Sequence, residues 1–283
     1  MKEAVDIVKD GNILAIGGFT LYRKPMAFLR ELSKRNYNNL TVLTLAGSID
    51  CDILIGSGVA STVRSCYVGM EYFGLAPNFR RFVEKGRIKI VEETELTIGS
   101  GLKAALQRVP FLPVRQLIGT DILKIRKDIK EVICPYTGTK LVALPALKPD
   151  VAVIHVLYSD PLGNAYFKGN ACVDREITMA ADNVILTSEF IVNTRQLLEN
   201  KPEGVQICSF EVDAVVHARW GAHPTSCYPL YTFDAWHILD YLKLGTTDNG
   251  FQQYLETYIY DCSGLEDYIN RIGGVKALER IEL

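Results

Sequence analysis

The sequence predicts an α/β fold in which a largely parallel sheet is flanked by helices. Short, uninterrupted apolar runs alternate with segments whose apolar residues recur at helical spacing, as in chains built from βαβ units. Uninterrupted apolar runs are typical of parallel strands that are buried on both faces. The chain has 283 residues, of which 48% are hydrophobic and 23% are charged. It is therefore long enough to bury a sizeable core.

The first predicted elements form a βαβ unit that begins after a short helix. Apolar residues between positions 4 and 8 recur at helical spacing and predict that first helix. The apolar run Ile13–Ile16 predicts a buried strand, which a pair of glycines ends. A helix is expected next over residues 26–32, because a proline precedes it and its apolar residues keep helical spacing. Residues 40–45 predict the second strand of the unit.

The same patterns predict the remaining elements in order. Further strands are expected at residues 53–55, 63–67, 88–91, 141–144, 151–156 and 184–187, and further helices at residues 78–85, 101–108, 174–181 and 247–261. The proline-marked segments 110–113 and 145–149 indicate turns, since neither has the composition of a linker. We therefore expect a single domain over residues 1–283, with a less regular, aromatic-rich region from about Gly204.

Charge and composition exclude several classes of function. Lysine and arginine number 31 against 33 acidic residues, and the net charge is -2, so no surplus cation is available for nucleic acid or for an anionic membrane surface. No apolar run approaches the length of a membrane span. The acidic start of the sequence does not resemble a secretory signal, and the seven cysteines form no CxxC pair. We expect a cytoplasmic protein with no nucleic-acid or membrane partner.

One segment formally matches a dinucleotide-binding pattern. Residues 99–104 read G-x-G-x-x-A, and Asp121 lies at a suitable distance downstream. That pattern belongs between two strands, whereas residues 92–95 are too acidic for a buried strand and residues 110–113 carry two prolines. We favour a loop that enters a helix where another part of the backbone approaches closely.

The histidines offer a metal site or a core role. His217, His223 and Cys227 are possible zinc ligands, but spacings of six and four residues match no standard site. We therefore interpret His223 as a turn or pocket residue and expect no metal. His155 lies near the carboxyl end of the strand predicted at 151–156, where open α/β sheets bind ligands. A hydrogen-bonded core histidine remains the favoured interpretation of His155, with a catalytic histidine as the alternative.

Two further groups of residues carry candidate chemistry. Gly17, Gly18 and Phe19 follow the first strand, and paired glycines let a ligand approach backbone N–H groups that stabilise phosphate or an oxyanion. Arg23 and Lys24 add cations beside that loop, although an exposed helix start would have the same sequence. The acidic residues at 92, 93 and 95 follow another predicted strand and form either a site with a raised pKa or a solvated surface.

The motifs, taken together, resemble the A subunit of class I coenzyme A transferases of the glutaconate type. The resemblance runs from about residue 3 to about residue 270. The segments that carry it in order are Asp10-Gly11 through Gly17-Gly18-Phe19, Arg23-Lys24-Pro25, and residues 110–113, 149–155, 159–164 and 221–228. It implies the CoA-transferase fold, a homologous B subunit in an A2B2 heterotetramer, acyl-CoA and carboxylic acid substrates, and no permanently bound cofactor.

In that family a glutamate from the B subunit first attacks the thioester and then passes coenzyme A to an acceptor acid, which divides a hard exchange into easier steps. Here Ser188-Glu189 is followed by Phe190, which departs from the family's catalytic motif, so Glu189 is not assigned as the nucleophile. The resemblance implies that this chain shapes the acyl or oxyanion pocket for a dicarboxylic or branched acyl-CoA. The residues expected to bind substrate are Gly17, Gly18, Phe19, Arg23, Lys24, His155 and His223.

Two alternatives stay open. Related hydrolases open rings of CoA thioesters in steroid breakdown. Their catalytic glutamate belongs to the subunit that corresponds to this chain. Glu95 and Arg115 match the positions of that glutamate and of an arginine after residues 110–113, which makes Glu95 a candidate general base. The third possibility is a non-catalytic protein that binds an acyl-CoA.

Overall fold

A computed structural model describes residues 1–200 and 204–283 of the chain. Its strands are β1 (Ile13–Ile16), β2 (Leu40–Leu43), β3 (Ala46–Gly47), β4 (Ala60–Ser65), β5 (Tyr67–Val68), β6 (Lys89–Glu92), β7 (Phe111–Val114), β8 (Lys130–Ile133), β9 (Lys140–Pro145), β10 (Val151–Ser159), β11 (Ala165–Tyr166), β12 (Asn183–Ile191) and β13 (Ala214–His217). Its α-helices are α1 (Lys2–Val5), α2 (Met26–Leu32), α3 (Ile49–Gly56), α4 (Pro77–Glu84), α5 (Glu95–Leu106), α6 (Ile122–Ile125), α7 (Asp174–Ala180), α8 (Thr194–Asn200), α9 (Ala235–Gly245), α10 (Asp248–Leu255), α11 (Leu265–Arg271) and α12 (Val275–Leu278).

The main sheet confirms the predicted α/β class. Seven strands lie in the order β13-β12-β10-β1-β2-β4-β6, and every neighbouring pair among them is parallel. The short β11 is added antiparallel to β10. In the part of the chain that the structure describes, we find no helix of the length and apolarity that crossing a bilayer requires.

Helices cover both faces of this sheet, and the alternation of side chains along each strand divides the core into two layers. On β1, Leu14 and Ile16 face the layer formed with α2, α3, α9 and α10, whereas Ala15 faces the layer formed with α5 and α7. Because both faces are covered, the central strands can carry apolar residues on both sides, as the buried run 151–154 at the start of β10 illustrates.

A second, antiparallel sheet corrects the turn predicted at 110–113. There β7 pairs with β9, and β9 pairs with β8, around a small core of Ile129, Val142 and Leu144. Proline removes a backbone donor, but β7 is an edge strand and tolerates it. The prolines therefore mark an edge strand rather than a turn.

Three other expectations change. The strand predicted at residues 53–55 is wrong, because these residues lie inside α3. They are buried, and a short apolar run that is buried on all sides has the same sequence pattern in a helix as in a strand. The helix predicted from residue 101 begins at Glu95, because Thr94 and Thr97 form a capping box. The G-x-G-x-x-A segment is therefore helix interior, so the favoured interpretation as a loop entering a helix is wrong, and it is not a phosphate loop either. The region from about Gly204 contributes β13 to the main sheet and carries four helices, with its irregular stretch at residues 218–234.

Candidate active site

The carboxyl ends of the parallel strands meet at one edge of the main sheet. The loop after β1 lies beside the middle of β10, where the Gly17 N–H donates to the carbonyl oxygen of Val153 (3.0 Å). His155 on β10 and Glu189 on β12 follow on the same side of the sheet. Open α/β sheets bind their ligands at this edge, so we take it as the candidate site.

The glycine loop at this edge is tightly folded. Gly18 has φ +77°, and a Cβ placed there would lie 2.6 Å from the carbonyl oxygen of Arg23. A Cβ on Gly17 would lie 2.9 Å from Asp174 Oδ1. Glycine is thus required at both positions by the chain's own packing, whether or not a ligand approaches.

The loop's N–H groups are already engaged within the chain. The acceptors for residues 17 to 20 are, in order, the carbonyl of Val153 (3.0 Å), Asp174 Oδ1 (2.9 Å), the carbonyl of Tyr22 (2.9 Å) and the carbonyl of Ala46 (3.0 Å). An oxyanion hole needs donors that point at the reacting oxygen. The geometry therefore does not support oxyanion binding by Gly17, Gly18 and Phe19. Phe19 is half-buried, and its side chain remains a candidate wall of the acyl pocket.

Arg23 lies inside the protein rather than at the surface. Its side chain is 3% exposed, and Nη2 lies 2.8 Å from Asp174 Oδ2. Its guanidinium also donates to the carbonyl oxygens of His155 (3.0 Å) and Asn170 (2.7 Å), and it stacks over the Phe167 ring. Arg23 therefore fastens the loop to β10 and to the start of α7.

Lys24 is fully buried beside the same loop. Its Nζ lies 3.0 Å from Asp50 Oδ2 and donates to Thr44 Oγ1 and the Ala46 carbonyl, both at 2.9 Å. Since Lys24 and Arg23 each pair with an internal carboxylate, neither is free to meet a substrate carboxylate. These contacts give both residues a structural role and do not support the expected contacts with substrate.

His155 belongs to a buried polar cluster that also contains Glu189. Its Nδ1 lies 2.9 Å from Thr187 Oγ1 and its Nε2 lies 2.9 Å from Glu189 Oε1. Both ring nitrogens are used and the residue is 0% exposed. This is the hydrogen-bonded core histidine that the sequence favoured, and direct substrate binding by His155 is not supported.

Glu189 is held by donors on both oxygens. Besides His155, the Tyr231 hydroxyl donates to Oε1. On the other side, Arg219 Nη1 and the Trp220 N–H donate to Oε2, both at 2.8 Å. Burial alone would raise the pKa of Glu189, but these hydrogen bonds and the imidazole charge lower the pKa below its usual range. A carboxylate bound in this way is a poor nucleophile.

The structure fits neither the metal site considered from the sequence nor a second cluster of possible ligands. His217 is exposed on β13, whereas His223 is buried, and these two residues do not join Cys227 in a ligand cluster within the described part of the chain. The ligand atoms of His155, Glu189 and Cys227 do lie within 4.8 Å of one another. However, Glu189 has no free lone-pair direction there, and the adjacent Arg219 cation opposes a metal ion.

His223 sits in a second buried network, away from solvent. Its Nδ1 bonds the Tyr268 hydroxyl (2.7 Å) and its Nε2 lies 3.1 Å from Asp234 Oδ2. Burial lowers the pKa of His223 and lowers that of neighbouring His237 to about 3. Because His223 is 0% exposed, a direct role in substrate binding is not supported.

The acidic residues after β6 separate into a structural and an exposed group. Glu93 is buried between Arg64 (2.6 Å) and Arg126 (2.7 Å) and so is part of the core. Glu95 is the exposed first residue of α5. Glu95 follows β6 by three residues, and the last residue of β6, Glu92, pairs with Ser65 at the carboxyl end of β4. Burial, with the charges of Glu95 and Glu93, raises the pKa of the nearby Cys66 thiol.

Arg115 is exposed just after β7. Leu96 and Val114, the chain neighbours of Glu95 and Arg115, both pack on the small core of the antiparallel sheet. The structure thus places the two charged residues in one region, although they form no ion pair with each other within the described residues.

Sequence reasoning missed the internal partners of the candidate residues. Asp174, Asp50 and Thr187 have no motif around them, and Asp174 is 156 residues from the glycine whose N–H it accepts. The only hint was the pair of adjacent cations, Arg23 and Lys24, after a buried strand, because buried cations require carboxylates somewhere in the chain.

Comparisons with known proteins agree with this fold. A family model described as coenzyme A transferase matches residues 1–218. The chain is similar to the A subunit of glutaconate CoA-transferase from Acidaminococcus fermentans, with 30% identity over 98% of this chain and 92% of the relative. The crystal structure of glutaconate coenzyme A-transferase from that organism superposes with a TM-score of 0.93, covering 100% of this chain and 94% of the other.

Two further relatives extend the comparison. The cholesterol ring-cleaving hydrolase IpdA subunit of Mycobacterium tuberculosis is 32% identical over 95% of this chain and 94% of its own length. An uncharacterized protein from Archaeoglobus fulgidus is 37% identical over 99% of this chain, and the chain spans 63% of that protein's length.

Proposed function

Because the chain belongs to the coenzyme A transferase family, we propose that it is the A subunit of a two-chain CoA-transferase. The enzyme moves coenzyme A from an acyl-CoA to a carboxylic acid acceptor, with coenzyme A as a substrate and without a permanently bound cofactor. Its partner is a homologous B subunit, and the two chains assemble as an A2B2 heterotetramer. The family match over residues 1–218 and the shared fold support this proposal.

The observation that carries the mechanism is the state of the buried carboxylates near the candidate site. Four of them already pair with cations of this chain: Asp50, Glu93, Asp174 and Glu189. A carboxylate that attacks a thioester must be free to form a covalent bond. The pairing of these four carboxylates supports a mechanism in which the B subunit supplies the attacking glutamate and this chain supplies a wall of the acyl pocket.

The acyl group is dicarboxylic or branched. A relative named for glutaconate, a dicarboxylate, supports this choice. Arg23 and Lys24 are paired internally, so the cation for a second substrate carboxylate comes from elsewhere in the assembled enzyme.

The exposed position of Glu95 favours a second candidate function. At the start of α5 it is a carboxylate that water can reach, as a general base requires. A relative named as a ring-cleaving hydrolase, at 32% identity, supports this alternative. In it, Glu95 takes a proton from the water that attacks a ring carbonyl of the CoA-thioester substrate, and Arg115 stabilises the negative charge that develops on the carbonyl oxygen. The ring C–C bond then breaks to leave a carboxylic acid, and the leaving carbon takes up the proton from Glu95.

A Glu95→Gln variant separates the two functions, with Glu92→Gln as its exposed control three residues earlier. The chain is co-expressed with the B-type chain of the neighbouring reading frame and assayed with dicarboxylic and branched acyl-CoA and labelled acetate. As a transferase, the complex moves coenzyme A to acetate, and Glu95→Gln costs less than about tenfold in rate. If the rate instead falls by several orders of magnitude while Glu92→Gln is unaffected, the hydrolase is the better assignment.

A further inference from the structure

The surface beside the glycine loop exposes a continuous group of apolar side chains. Tyr72 and Trp236 are each 74% exposed, Leu75 is 64% exposed and Tyr22 is 48% exposed. We call this surface the aromatic face. Its members are Tyr22, Tyr72, Phe73, Leu75, Phe233, Trp236, Leu239 and Leu242.

Contacts between neighbours show that the aromatic face is continuous. The rings of Tyr72, Phe73 and Phe233 lie within 5.9 Å of one another, centroid to centroid. Phe73 and Leu75 line a surface hollow together with Leu242 of α9. Trp236 and Leu239 precede Leu242 on that helix at intervals of three residues, so each is a surface neighbour of the next. The backbone links the glycine loop to this group. Tyr22 pairs with Ser226 in an isolated bridge, and the N–H of Asp234, the residue after Phe233, donates to the carbonyl oxygen of Pro224 (2.9 Å).

The exposed area of the aromatic face approaches the area that each partner buries in a stable interface. A fully buried aromatic side chain covers about 150–250 Å². Scaled by the exposed fraction of each residue, the aromatic face exposes roughly 600 Å² of side-chain surface. A typical stable interface covers about 800 Å² on each partner, and its centre is enriched in tyrosine, tryptophan and phenylalanine. The face therefore supplies most of the apolar centre of one standard interface.

We propose that the aromatic face is the docking surface for the B subunit, an inference that rests on the proposed function. Tyr22 belongs both to the face and to the glycine loop, so a chain seated there reaches the candidate site. That site has engaged N–H groups and paired carboxylates. A second copy of this chain would bring the same engaged N–H groups and the same paired carboxylates again. A B subunit would bring the missing glutamate and the missing donors.

The test compares substitutions on this face with a matched exposed aromatic elsewhere. Tyr72→Ala with Trp236→Ala removes two exposed rings, and Tyr136→Ala removes a 93% exposed ring at the turn between β8 and β9. Affinity for the purified B-type chain is measured by sedimentation velocity and biosensor titration. The face variant is expected to bind at least ~30-fold more weakly, whereas Tyr136→Ala binds like the wild type.

Hydrogen–deuterium exchange of the unmodified chain gives a readout that needs no variant. On addition of the B-type chain, amides of residues 70–75 and 233–243 should be protected. Protection elsewhere, or equal affinity of both variants in an active complex, overturns the docking surface while the proposed transferase stands. A homodimer of the wild-type chain that the face substitutions abolish assigns the face to a second copy and also overturns the proposal. If the wild-type chain and the B-type chain do not associate, the proposed two-chain function fails as well.

Discussion

Asp174 connects three parts of the candidate site through one buried carboxylate. It accepts the Gly18 N–H through Oδ1 (2.9 Å) and pairs with Arg23 through Oδ2 (2.8 Å), with both side chains almost fully buried. Burying such charges is favourable only while both partners are present. The conformation of the glycine loop therefore depends on this pair.

Asp174→Ala is expected to lower the free energy of unfolding by about 3–5 kcal/mol, because it leaves Arg23 as an uncompensated buried cation. Chemical denaturation measures this loss. The control is Asp182→Ala, which breaks an exposed pair with Lys148 and should cost less than about 1 kcal/mol. If the two variants lost similar free energies of unfolding, the buried pair would contribute no more to stability than the exposed pair.

The buried histidine network predicts a dependence of stability on pH. Burial and the charge of His223 lower the pKa of His237 to about 3, against about 6.5 for an unfolded histidine. Between these values the unfolded chain binds a proton that the folded chain does not. The free energy of unfolding therefore falls as the pH is lowered through this range, by up to ~1.4 kcal/mol per unit for each proton.

Replacing His237 by glutamine should reduce that dependence. Between pH 6.5 and pH 5, the wild type is expected to lose up to ~2 kcal/mol more stability than His237→Gln, since the variant has no imidazole to protonate on unfolding. Urea denaturation of both proteins at the two pH values provides the comparison. Parallel losses would contradict a buried, neutral His237.

Helix α5 contains two glycines that affect the stability of the protein in different ways. Gly101 accepts the Leu147 N–H through its carbonyl (2.9 Å), and a Cβ there would lie 2.8 Å from the Leu147 Cβ. For Gly99, no described residue lies within 4 Å of such a Cβ. Gly101 therefore permits a close backbone approach, while Gly99 only weakens the helix.

Alanine substitutions at these two positions should have opposite effects. Gly99→Ala is expected to stabilise the protein by about 1 kcal/mol through helix propensity. Gly101→Ala should destabilise it by about 1–3 kcal/mol, because Leu147 must move. Thermal unfolding of both variants tests this, and a stabilising Gly101→Ala would show that the approach of Leu147 is not tight.

At this scale, the sequence predicted the central strands well and the edges poorly. β1, β10 and β12 are buried on both faces, and each therefore contains a short apolar run that is recognisable in the sequence: residues 13–16, 151–154 and 184–186. β7 could not be recognised, because the prolines before and within it are tolerated only at a sheet edge, and its neighbour β9 begins only at Lys140.

For the molecule as a whole, the family was predictable and the site was only partly so. Separated motifs in order identified the coenzyme A transferase family, which the match over residues 1–218 confirms. The roles of Arg23 and Lys24 were not predictable, since a cation that meets a substrate and a cation that meets a distant aspartate have the same local sequence. Only the folded chain brings Asp174 and Asp50 to them.

The central claim is that this chain shapes the site while its partner supplies the nucleophile. The most direct test is to incubate the two-chain complex with an acyl-CoA, trap the glutamyl thioester with borohydride or hydroxylamine, and locate the modified peptide by mass spectrometry. We expect the modification on a glutamate of the B-type chain and none on Glu95 or Glu189. A modified glutamate in this chain, or an acceptor-independent product without any adduct, would contradict the claim.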